Sequence, residues 1–188
     1  MDSVQPNDLI SPDDKDWTWV LDRPCPECGF DARGHRRERL GAEIRANAAQ
    51  WPHLLAHEHV ARRPVPSRWS ALEYGCHVRD VFDLFLVRLN LMLAEDGPLF
   101  ANWDQDVTAI EQRYSEQDPA AVSEEIVVAA ERLAAAFDGV SGATWHRTGF
   151  RSDGAEFTVE SFGSYLLHDP VHHLWDVDNS GLGRSASG

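Results

Sequence analysis

Trp69-Ser70-Ala71-Leu72-Glu73-Tyr74-Gly75-Cys76-His77-Val78-Arg79-Asp80-Val81-Phe82 opens the part of the chain whose reading decides the fold. Ser70 and Glu73 have the spacing of a capping box, in which the serine side chain accepts from the third helical N–H and the glutamate reaches back. The apolar series then runs through Val78, Phe82, Phe85, Leu89 and Met92 until Gly97-Pro98 ends it, which predicts a helix over about 70–95. A helix with so much apolar surface must be covered along its length.

Three other stretches can cover it. Upstream, Leu40, Ile44, Ala48, Trp51 and Leu55 form an amphipathic stripe, predicting a helix over about 35–57. The stiff Arg62-Arg63-Pro64-Val65-Pro66 connector cannot continue it. Downstream, Asp118-Pro119 is an N-cap with proline at the first helical position, and Val122, Ile126, Ala129, Leu133 and Phe137 carry a helix over about 119–138. Thr158, with Phe157 and Phe162 as a hydrophobic staple, starts a last helix reaching about Asp178. Between the second and third helices Val107 to Tyr114 reads as a short helix, and between the third and the last Ser141 to Glu156 reads as a loop or a hairpin turning at Asp153-Gly154. Asp16 to Leu21 alternates as an extended segment on a core would. The expectation is an all-α four-helix bundle over 35–178, an N-terminal extended arm over 1–34 and a flexible tail over 179–188.

Composition narrows the function classes. A chain of 188 residues suits one domain. A net charge of −14, with Lys15 the only lysine, argues against nucleic acid and against an anionic membrane as partners. No apolar run approaches the roughly 20 residues of a membrane span, and Met1 to Asp14 is acidic and polar, so a cytoplasmic location is expected. Three cysteines do not build a disulfide framework.

The chemistry concentrates near the C-terminus, in Leu167-His168-Asp169-Pro170-Val171-His172-His173-Leu174-Trp175-Asp176. His168 and His172 are four residues apart and share one helix face if Pro170 kinks the helix without breaking it. A divalent metal reads such a pair, and His77 on the facing second helix is the leading third ligand. Zinc is the first expectation, with nickel and iron also suited to imidazoles. Asp80 and Asp176, each near a proposed ligand, could orient an imidazole through its other nitrogen. His173, about 100° round from His172, is the alternative ligand. The bland alternative is histidines that cap or pack on helix surfaces.

These residues together resemble the DinB/YfiT-like superfamily, which includes bacillithiol-dependent transferases and the metal-binding domain of mycothiol-dependent maleylpyruvate isomerase. The resemblance covers roughly 35–178 and rests on Trp69 to Val81 followed by His168-x-x-x-His172. It implies a DinB-like four-helix bundle with a divalent metal held at one end by His77, His168 and His172. It further implies a metal-dependent transferase using a low-molecular-weight thiol, mycothiol if the arginine-rich composition reflects an actinobacterial source, with an electrophilic small molecule as partner. A metal-dependent hydrolase and a non-enzymatic metal-binding or stress-response protein are the other readings. A homodimer is also expected, from apolar residues beyond a single stripe on the first two helices.

Cys25-Pro26-Glu27-Cys28-Gly29 is not required by that family and looks like a zinc knuckle. His35 could be its third ligand and Cys76 its fourth, or the pair could join the bundle metal, act as a redox dithiol, or form a loop without special chemistry. Cys76 alone reads as a reactive thiol or a small core residue. Arg147 and Arg151 could hold a cosubstrate carboxylate, and Trp103, Tyr74 and Trp145 could line a pocket mouth.

Overall fold

The computed structural model describes residue 10 and residues 16–180; the start of the expected N-terminal arm and most of the expected flexible tail lie outside the described residues. Among the described residues there are six α-helices: α1 (Leu40–Ala48), α2 (Trp51–Leu55), α3 (Ala71–Ala94), α4 (Gln105–Glu111), α5 (Pro119–Asp138) and α6 (Val159–Asn179). α1, α3, α5 and α6 form the bundle; α5 lies between α1 and α3, and α6 closes the ring between α3 and α1.

Local signals explain where these helices begin. At α3 the capping box is complete: Glu73 N–H donates to Ser70 Oγ at 3.2 Å and Ser70 N–H to Glu73 Oε2 at 2.8 Å. At α6 Ser161 stands at the third helical position and exchanges hydrogen bonds with Thr158. Asp118 accepts from Ala120 N–H at 3.1 Å, with Pro119 following as the first helical residue. The core between the helices is filled by Ile44, Trp51, Phe82, Leu89, Ile126, Leu133, Phe137, Phe162 and Leu166. Gly163 lets α6 approach α1, since a Cβ there would lie 2.5 Å from Leu40 Cδ1.

Two expectations about local structure are corrected. The first helix is not continuous over 35–57. Pro52 cannot donate a hydrogen bond to Ala48, and the chain turns at Ala49 and Gln50 before α2 begins. Trp17–Leu21 is a 3-10 turn and not an extended run, because Asp16 accepts from Thr18 N–H at 3.0 Å and caps it. The hairpin forms: β1 (Thr148–Phe150) pairs antiparallel with β2 (Glu156–Thr158), Thr148 opposite Thr158, with Gly154 in the left-handed region at φ 92°. Pro170 lies inside α6, which stays helical on both sides of it. Among the described residues no helix is long and apolar enough to cross a membrane.

Candidate metal centre

Residues 168 to 173 lie on one turn and a half of α6, and consecutive side chains there point about 100° apart. Two i, i+4 pairs therefore face two different neighbours. His168 and His172 face the N-terminal arm, where Cys25 and Cys28 complete a group of four donors lying within 4.8 Å of one another. Asp169 and His173 face α3, where His77 joins them in a group of three. The expected trio of His77, His168 and His172 is thus not brought together as one cluster; His77 meets Asp169 and His173 instead. The His172 and His173 rings, 6.1 Å apart, stand between the two groups.

In the group of three, His77 Nε2 is 3.4 Å from Asp169 Oδ2 and His173 Nε2 is 3.7 Å from Asp169 Oδ1. Neighbouring nitrogen or oxygen ligands around zinc lie about 3.3 Å apart, so these donors need little movement to share an ion. His77 is 1% exposed, and the buried Asp169 Oδ1 has no hydrogen-bond partner, so its lone pairs are available to a cation shared with the two imidazoles. Asp176 Oδ2 lies 3.1 Å from His173 Nδ1 and fixes that ring with Nε2 towards the group. Asp80 does not orient His77; it is taken by Arg79 and by the Tyr114 hydroxyl. Burial raises the Asp169 carboxyl, but the His77 and His173 imidazoles, the hydrogen bond to His77 and His168 outweigh it and hold the group well below the usual carboxylate range. Trp103 stacks on His77 at 5.5 Å, and Tyr74 lies 4.9 Å from His173.

Through Asp169 and His173 this group opens onto a cavity of about 590 Å³, whose wall also includes Arg88, Trp103, Arg151, His168 and His172. Arg88, from α3, is 9% exposed, and among the described residues no carboxylate is within ion-pairing distance of it. Its Nη2 donates to Ala101 O at 3.1 Å while its Nε has no partner. Burial pulls its guanidinium below the ordinary arginine range. Arg151 also lines the cavity, held by Asp153 and by the Tyr165 hydroxyl at 2.9 Å. Arg147 does not reach it: its guanidinium caps the end of α3, donating to Met92 O at 2.6 Å and Glu95 O at 2.7 Å. Trp145 packs on Phe137 away from the cavity.

Of the residues considered for the knuckle, His35 stacks on Phe30 at 4.5 Å and hydrogen-bonds Glu43 at 2.7 Å. Cys76 is fully buried beside Tyr114 O and Gln117, where burial pushes its thiol up to about 12. Neither joins the cysteine pair. Asp169 and Arg88 were not singled out from sequence; Asp169-x-x-x-His173 has the same spacing as the chosen pair, whereas Arg88 carries no motif.

A family model described as the DinB superfamily matches residues 43–177, most of the chain and all of α3, α5 and nearly all of α6. The chain belongs to the DinB superfamily. Among solved DinB-like folds it is similar to YfiT from Bacillus subtilis, described as a probable metal-dependent hydrolase with an unusual four-helix bundle topology. The likeness has a TM-score of 0.64 at 16% identity, over 76% of this chain and 84% of that one, and it shows a shared fold. No curated protein matches the chain. The DinB match begins at residue 43, so the cysteine knuckle lies outside it.

Proposed function

We propose that this DinB protein is a metal-dependent enzyme acting on a small anionic molecule, with His77, Asp169 and His173 holding a divalent cation and Arg88 receiving the anionic group. The observation that supports it is a coincidence at one cavity: three convergent donors, two of them on its wall, and a buried guanidinium without a carboxylate partner among the described residues. Three protein ligands leave positions open for a reactant, the arrangement of catalytic sites. Zinc, nickel and iron all accept two imidazoles and a carboxylate. When bound, such a cation lowers the pKa of a coordinated thiol or water.

The reaction we favour is transfer of a low-molecular-weight thiol, such as mycothiol, to an electrophile. Among the described residues no cysteine lines the cavity, so the sulfur nucleophile would come with the cosubstrate. Arg88 fixes the carboxylate end of a reactant by charge-assisted hydrogen bonds. Arg151 offers a second guanidinium where the cavity meets the hairpin. Asp176 keeps His173 in one tautomer and one orientation, and Trp103 and Trp17 keep water from the walls. Hydrolysis is the second reading, favoured by the description of YfiT.

The test is a parallel assay of zinc-, nickel- and iron-loaded protein: thiol consumption with mycothiol or glutathione and an unsaturated dicarboxylic acid, beside hydrolysis of small amides and esters. His77→Ala should lose the activity and one metal equivalent while keeping its thermal transition. Metal-loaded protein inactive in both assays, together with a His77→Ala variant that unfolds far below the wild-type temperature, would favour a structural metal-binding protein instead.

A further inference from the structure

The geometry points to a second metal site: a closed zinc centre formed by Cys25, Cys28, His168 and His172, which staples the N-terminal arm to α6. Cys25, His168 and His172 are buried and Cys28 is half-buried, and one donor atom from each lies within 4.8 Å of all the others. Cys25 Sγ is 3.7 Å from His172 Nδ1. Adjacent sulfur and nitrogen ligands on tetrahedral zinc are about 3.6 Å apart, given bonds of 2.3 and 2.05 Å.

The knuckle backbone is already shaped for this. Cys25 N–H donates to Phe30 O at 2.8 Å and Gly29 N–H to Cys25 O at 3.0 Å, closing a turn that brings both thiols to one side. Gly29 sits at φ 75°, where a residue with a Cβ would be strained. The Phe30 N–H is directed at the Cys28 sulfur. On the far side of His172, Nε2 faces Glu27 at 3.3 Å and Asp176 at 3.9 Å, the carboxylates that hold a ligating imidazole in place. Glu27 comes from inside the knuckle itself, so the arm supplies both the thiols and the group that orients the histidine they meet.

Two thiolates with two imidazoles select zinc over magnesium or calcium, and four protein ligands leave no position for a substrate, so the centre is structural. On binding, the Cys25 and Cys28 thiols each release a proton to solvent, and no electron changes hands. The staple also bears on the cavity. Trp17 packs 5.0 Å from the His168 ring and 5.2 Å from the His172 ring, and it lines the cavity wall. This site stands whether or not the cavity is catalytic.

Metal content of the full chain, with cobalt substitution, tests it. Wild-type protein should hold one zinc more than the Cys25→Ser/Cys28→Ser double variant. Its cobalt form should show sulfur-to-cobalt charge transfer that His77→Ala keeps and the double variant loses. Should the double variant fail to fold, alkylation of the wild-type chain decides the matter: zinc should block both Cys25 and Cys28, and magnesium neither. Equal zinc content in wild type and double variant, a cobalt spectrum without thiolate bands, or alkylation unaffected by zinc would overturn the assignment.

Discussion

Replacing Arg88 with methionine keeps most of the aliphatic stem in α3 and removes the guanidinium. The charge is held by one hydrogen bond to Ala101 O at 3.1 Å and sits 5.4 Å from the Phe100 ring and 5.9 Å from the Phe85 ring. A hydrogen bond from a charged donor contributes about 1.5–3 kcal/mol. Each ring contact adds about 0.5–1 kcal/mol. Against these stands a desolvation cost of several kcal/mol for a buried ion without a counter-charge. The terms nearly cancel, so Arg88→Met should change the unfolding free energy by about 1 kcal/mol or less, in either direction. Binding is different. A carboxylate meeting this guanidinium in a cavity gains a charge-assisted pair whose removal costs about 2–5 kcal/mol. Affinity for a small dicarboxylate such as maleate should therefore fall by about a hundredfold, the equivalent of about 3 kcal/mol. Urea denaturation and calorimetric titration of the metal-loaded protein measure the two quantities side by side. A variant that loses 3 kcal/mol or more of stability, in the sense of a buried-pair loss, while binding maleate as before would refute the role given to Arg88.

Glu73→Ala should be far more damaging. It removes the acceptor of Ser70 N–H and leaves Arg63, whose Nε lies 2.9 Å from Glu73 Oε2, facing a void with its side chain only 14% exposed. Loss of about 3–5 kcal/mol is expected in chemical denaturation; a loss below about 1 kcal/mol would mean that the pair is solvated. The Arg151–Asp153 pair should give a small, pH-dependent effect. The Arg151 guanidinium holds the Asp153 carboxyl down at about 2, from an ordinary value of 3.8. A depressed carboxyl stabilises the fold fully above its unfolded value and loses that contribution as pH falls through the folded one. Asp153→Asn should therefore lower the melting temperature slightly at pH 7, by less than about 1 kcal/mol of stability for so exposed a pair, and the gap should close between about pH 4 and 2. A gap that widens on acidification would contradict the sign.

The bundle was legible because its signals are local. Ser70-x-x-Glu73, Asp118-Pro119 and the Phe157/Phe162 staple around Thr158 each specify a helix start within a few residues. Pro52 was equally local, but the apolar stripe from Leu40 to Leu55 continues across it and hides the turn. The site was legible only as far as the residue types and the helix they occupy. Whether α6 turns His168 and His172 or Asp169 and His173 towards α3 depends on its rotation about its own axis, and both pairs have the same spacing. That rotation is set by packing, such as Gly163 against Leu40 and Phe162 against Phe85, and no motif encodes it. Arg88 was invisible for a related reason. It lies between apolar neighbours on the core side of α3, and only the cavity shows that its charge has no carboxylate partner.

The two metal groups share a helix so closely that adjacent residues should belong to different ions. His172 is directed at Cys25 and its far nitrogen at Glu27, whereas His173 is held by Asp176 and directed at Asp169. His172→Ala should abolish the thiolate signature of the cobalt-substituted protein and leave the cavity ion. His173→Ala should do the reverse, removing the ion without thiolate ligands and with it the proposed thiol-transfer activity. Stability should separate them as well. A closed four-ligand centre contributes folding free energy directly, while an open site contributes less. His172→Ala should then lower the zinc-saturated melting temperature more than His173→Ala does, although both remove one imidazole from the same turn. If both substitutions remove the same ion, the two groups are one site, and the 6.1 Å between the His172 and His173 rings is the spacing of alternative ligands to a single metal.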